Sequence, residues 1–229
     1  MNAPAPKLRW ALVHVLTPLL LTGATSVLFA AIAGISLGTV IGGLFAITFI
    51  LPPLSAGKSN FRSRLVILTC CATAVAATWV CLLRPGAATF GPWCQVCLVM
   101  LAYAAALAGL VALLDRLCVD SPVSSAITII AGFAWLTWPI WLSPWMAASA
   151  NQRLIDLLIL FHPPLVANGI LTFTGPWTEQ SLAYTLTVLG QDVPIALPAN
   201  PLPSIGVHAL IAAIGFAIAS IRLRKTPTP

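Results

Sequence analysis

Two cysteines, Cys94 and Cys97, stand three apart in GPWCQVCLVM (residues 91–100), directly before a long apolar run. A C-x-x-C pair can bind zinc, carry a c-type haem, or cycle between dithiol and disulfide. Zinc needs further ligands, and the sequence offers no second C-x-x-C and no histidine close to this one. Haem attachment needs a histidine after the second cysteine, where Leu98 stands instead. Thiol–disulfide exchange remains, beside the plainer alternative that both are small packing residues in an apolar helix. At a helix start the two side chains share one face, and the amide dipoles there favour a thiolate.

Of the other cysteines, Cys81 falls one turn before Arg84, at the end of the preceding apolar run and on the same side as the pair. Cys118 lies roughly 31 Å beyond Cys97 at helical rise, which places it across the membrane. Cys70, Cys71 and Cys118 read as packing residues.

The elements that must position the pair follow from composition. Of the 229 residues 59% are hydrophobic and 7% charged, with mean hydropathy +1.00. Soluble chains carry about 25% charged residues, so this chain has too little polar surface to face water. The expected fold is all-α: a polytopic membrane protein of six transmembrane helices with an outer-face cap between helices 5 and 6. Trp10 to Leu54 carries no Lys, Arg, Asp or Glu and is far longer than a signal-peptide core. It reads as two uncleaved spans turning near GISLG (34–38) and ending at Pro52-Pro53. Further spans are expected over 65–83, 93–114, 126–142 and 205–221. Residues 1–119 then form a four-helix bundle carrying the C-x-x-C pair. Residues 120–229 add two helices and a long outer segment, 143–204, which exceeds an ordinary connection. Within it Leu154–Phe161 is expected to stop at His162-Pro163-Pro164 and to lie along the membrane surface or re-enter it.

The formal charge is +6, yet the basic residues cluster in short loops rather than in an aromatic-interleaved stripe, so no nucleic-acid partner is expected. With the N-terminus inside, Lys7, Arg9, Lys58, Arg62, Arg64, Arg116, Arg222, Arg224 and Lys225 are all cytoplasmic; only Arg84 and Arg153 fall outside. This predicts a multi-pass protein of the plasma (inner) membrane with both termini cytoplasmic. Cys94 and Cys97 then face the oxidising outer compartment.

A helix, a short loop and an aromatic-C-x-x-C opening the next helix, TWVCLLRPGAATFGPWCQVCLVMLAYAAALAGL (78–110), resembles the vitamin K epoxide reductase (VKOR) family. The resemblance covers about residues 65–115. It implies a quinone-linked thiol oxidoreductase with Cys94 and Cys97 as the quinone-proximal pair and Cys81 as a candidate relay. Trp93 or Tyr103 would lie against the quinone, and a thioredoxin-like protein outside the membrane would be the partner. The family's second cysteine pair, in a long loop between its first two helices, has no counterpart: that connection here is GISLG. The rival expectation is a non-enzymatic membrane subunit, a permease component or scaffold contacting other membrane subunits.

His14, His162 and His208 read as hydrogen-bonded interface histidines; neither haem nor a metal is expected. Arg153 and Asp156 read as a local ion pair. Glu179 and Asp192 are too far apart in a loop to argue paired-carboxylate catalysis. With no ionisable residue deep in a span, a proton-driven transporter or ion channel is disfavoured.

Overall fold

The computed structural model describes residues 10–33, 37–58, 60–83, 90–117, 120–149, 151–172 and 196–221, and all secondary structure among them is helical. A π-helical turn, Leu12–Leu16, leads into α1 (Thr17–Ala33). There follow α2 (Leu37–Ser55), α3 (Phe61–Leu83), α4 (Phe90–Arg116), α5 (Ser121–Trp141), α6 (Ser143–Ser149), α7 (Gln152–Phe161), α8 (Pro163–Thr172) and α9 (Leu202–Ser220). Five helices are long and apolar enough to cross a membrane: Leu12–Ile32, Phe61–Leu83, Phe90–Arg116, Ser121–Trp141 and Leu202–Ser220. Taking α7 and α8 as one broken span makes six, and Thr39–Ser55 of α2 is a shorter apolar helix. The outward surface is apolar, with Leu20, Ile32, Ile130 and Leu210 all more than half exposed. Only lipid makes such a surface favourable over the whole girth of a bundle. The chain has the architecture of a multi-pass membrane protein.

The centre of the bundle is α4, which packs against α2, α3, α5, α8 and α9. Its buried face runs from Trp93 through Val96, Met100, Tyr103 and Leu107 to Val111, the stripe expected of a helix surrounded on most sides. The tightest crossing is with α9. A Cβ on Gly109 would lie 2.8 Å from the Ala212 Cα, and one on Gly215 would strike the Gly109 carbonyl. Small residues therefore bring the two backbones together, and dispersion between main chains holds them.

Prolines begin helices here more than they end them. Pro122 sits in the first turn of α5 and Pro203 in that of α9, each preceding the start expected at 126 and 205. Pro92 likewise lies in the first turn of α4, which begins at Phe90 rather than at 93. A first-turn residue has no intrahelical acceptor for its N–H, so proline loses nothing there. Conversely, Pro52 and Pro53 lie inside α2, in its last turn.

The segment after α5 does re-enter the bundle. α7 and α8 meet at His162 with an 81° bend. Pro163 and Pro164 open α8 instead of closing the element. α8 packs on α4 and α2 and is buried from Val166 to Leu171. The expected Arg153–Asp156 ion pair is absent: Asp156 accepts a hydrogen bond from Gln152 Nε2 at 2.7 Å, one turn earlier on the same face. The GISLG turn at 34–36, Arg84, Cys118, Glu179 and Asp192 lie outside the described residues.

Candidate functional site

Cys94 and Cys97 lie in the first two turns of α4, Cys94 exposed and Cys97 half-buried, and both are free thiols. One helical turn sets their Cα atoms about 5 Å apart, inside the range a disulfide spans. Cys97 rests on the main apolar core, so its side is fixed by packing while Cys94 is open to approach. Continuing the same face, Leu98 and Leu101 are 52% and 39% exposed, which makes the pair the polar head of a lipid-facing ridge.

Trp93 turns the other way. It is buried and packs against Trp79 of α3, ring centroids 6.1 Å apart and planes tilted by 58°. Trp79 Nε1 in turn donates to the Thr39 carbonyl of α2 at 3.2 Å. The helix start that carries the pair is thus anchored through two indoles to the neighbouring helices. Cys81 is exposed near the end of α3. Cys71 is fully buried and takes a hydrogen bond from Thr22 Oγ1 at 3.3 Å, as a packing residue does.

Tyr103 is separated from the pair by rise and by rotation. Nine residues from Cys94 are about 13 Å along the axis and half a revolution around it. Its hydroxyl lies 2.8 Å from Thr48 Oγ1 of α2 and 3.3 Å from the Gly132 carbonyl of α5. Beside it is an apolar cavity of about 220 Å³, lined by Tyr103, Leu107, Gly132, Trp135, Phe161 and His208 among others, with no cysteine in its wall. A ring held in this cavity would not touch the sulfurs. Of the two residues expected against a quinone, Trp93 therefore lies next to the pair but buried, and Tyr103 serves a different surface.

The cavity borders an aromatic–imidazole cluster that the sequence reading treated as separate interface residues. Trp135 contacts both His162 and His208, at centroid distances of 6.0 and 6.4 Å. Trp138 packs on His162 at 5.5 Å and Tyr103 on His208 at 5.6 Å. His162 Nε2 is 3.1 Å from the Leu136 carbonyl, and His208 Nδ1 is 2.7 Å from that of Ser204. Each imidazole therefore donates from one nitrogen to the backbone. Ser204 Oγ donates to the Phe161 carbonyl, fastening the head of α9 to the α7–α8 bend. The two histidines belong to segments distant in the chain, so only their positions beside prolines hinted that either was special.

Against this geometry stands the outcome of comparison with known proteins: no family model, no curated protein and no solved structure matches the chain.

Proposed function

We propose that the chain is a multi-pass membrane thiol–disulfide oxidoreductase, VKOR-like in its reacting pair, with Cys94 and Cys97 facing the outer compartment and both termini cytoplasmic. One observation carries the reading: an exposed free thiol and a half-buried free thiol one turn apart on a helix start anchored by Trp93 and Trp79. The distribution of basic residues supports the orientation.

In the oxidised state Cys94 and Cys97 share a disulfide. A thiolate of an outer thioredoxin-like partner attacks Cys94 Sγ, the accessible sulfur, and Cys97 leaves as thiolate. The partner's second thiolate then attacks its own sulfur in the mixed disulfide and releases Cys94 as thiolate. The partner ends with a disulfide, and two electrons rest on the reduced pair. A lipid-soluble quinone, the acceptor implied by the family resemblance, supplies the two-electron, two-proton sink that re-forms the disulfide. The exposed ridge of Cys94, Leu98 and Leu101 suits its approach from the bilayer; the Tyr103 cavity does not adjoin the pair. Cys81, also exposed, is the remaining candidate relay thiol.

The second reading, a non-enzymatic membrane subunit such as a permease component, is favoured by the bent α7–α8 pair. Helices that break at membrane depth are tolerated where protein surrounds them, and they recur in transport proteins. Labelling whole cells with a membrane-impermeant maleimide separates the two. In a Cys81→Ser background the oxidoreductase reading expects the pair to label only after reductant, and the signal to vanish when Cys94 and Cys97 are both changed to Ser. Equal labelling with and without reductant, or no labelling in either state, sinks it in favour of the subunit.

A further inference from the structure

A cavity of about 740 Å³ lies at the opposite end of α4 from the cysteine pair, between the start of α3 and the ends of α4 and α9. Its polar wall is Lys58, Arg64, Asp115 and Arg116, and its apolar wall includes Phe61 and Phe216, which meet edge to face at 5.1 Å. Three cations face one carboxylate. Arg64 is 7% exposed and spends Nη2 on Asp115 Oδ2 at 2.7 Å and Nε on the Lys58 carbonyl at 2.7 Å. Arg116 spends Nη2 on the Ile221 carbonyl at 2.8 Å. Arg64 Nη1 and Arg116 Nε are buried with no hydrogen-bond partner among the described residues, and so is Asp115 Oδ1.

Buried guanidinium N–H groups without acceptors are costly, and the strongest remedy is an anionic oxygen. A carboxylate oxygen left bare beside them calls for a donor. A single group supplies both: a phosphodiester carrying hydroxyls. The setting selects the rest of the molecule. The cavity sits at the ends of apolar helices, and Phe61 at its mouth is 56% exposed, with Ile214 and Ile218 of α9 also exposed along the helix above it. Basic pockets between membrane helices at the headgroup level bind anionic lipid heads.

We propose that this cavity is a binding site for an anionic phospholipid with a hydroxylated headgroup, the phosphate on Arg64, Arg116 and Lys58 and a headgroup hydroxyl on Asp115. The site is independent of the thiol reading, because no residue of it touches Cys94 or Cys97.

The test uses the full chain purified in a neutral detergent and titrated with phosphatidylglycerol, phosphatidylcholine or inorganic phosphate. Retained lipid is read by native mass spectrometry and stability by thermal unfolding. Phosphatidylglycerol is expected to be retained and to raise the unfolding midpoint, with phosphatidylcholine and inorganic phosphate doing neither. Arg116→Gln and Lys58→Gln are each expected to weaken retention about fivefold, the effect of one basic residue at a membrane surface. Arg64 is left intact because it also joins α3 to α4. Equal retention of the two lipids, or undiminished retention in both variants, overturns the proposal. A midpoint shift with inorganic phosphate equal to that with the lipid makes this a soluble-anion site and overturns the lipid assignment.

Discussion

The Tyr103 hydroxyl lies 2.8 Å from Thr48 Oγ1, joining α4 to α2 in the apolar middle of the bundle. Thr48 has one proton, and its own carbonyl partner, Leu44, is 2.8 Å away. With that proton committed, the tyrosine proton is shared between Thr48 Oγ1 and the Gly132 carbonyl. Both acceptors keep a partner when the phenol oxygen is removed. Tyr103→Phe is therefore expected to destabilise the bundle by only about 1 kcal/mol. Thr48→Val on the phenylalanine background should add less than it does alone. A double-mutant cycle of detergent-solubilised unfolding checks this, and strict additivity would refute the shared proton.

At the far end of α4, Asp115 does more than neutralise. It accepts from Arg64 Nη2 and from the Gly57 N–H at 2.9 Å, so one carboxylate secures the turn after α2, the head of α3 and the tail of α4. Both ion-pair side chains are close to fully covered, at 8% and 13% exposure. Asp115→Asn strands a buried guanidinium and should cost about 3–5 kcal/mol. Replacing both partners, as Arg64→Met with Asp115→Leu, should cost less than Asp115→Asn alone. Unfolding midpoints of the three variants decide it; a double variant worse than the single one contradicts the account.

The α4–α9 crossing predicts sharp intolerance to size. Gly109→Leu puts a branched chain where the Ala212 backbone already sits 2.8 Å from the position of a Cβ. The expected loss is about 3 kcal/mol, the upper range for overpacking. Gly206 on α9, with open space around it, should accept alanine with a change too small to resolve. A comparable loss at both positions would mean that the crossing is not the cause.

Most of the fold was legible because apolar runs of bilayer length have few alternatives. All six expected segments are helical, although the second, Thr39–Ser55, is a shorter apolar helix than a full span. The starts expected at 93, 126 and 205 fall earlier, at Phe90, Ser121 and Leu202, because Pro92, Pro122 and Pro203 occupy first turns, where the missing N–H costs nothing. His162-Pro163-Pro164, read as a stop, opens a second buried helix instead. The pair's placement at a helix start was readable from GPWCQVC alone. The companionship of Tyr103 with Trp135 and His208 was not, because it depends on which faces of α4, α5 and α9 meet. Hydropathy records that a helix is apolar and is silent about its rotation when every side is apolar.

The glycine contact between α4 and α9 also sets an order of events. α9 is the latest-made of the described helices, yet it supplies His208 and one wall of the Tyr103 cavity, and it leans on the middle helix by backbone contact. Until it leaves the translocation machinery, α4 presents an unfilled seam to lipid. Assembly of the interior therefore waits on the synthesis of α9, and a nascent chain stalled before Leu202 should be seen by membrane quality control as an orphan.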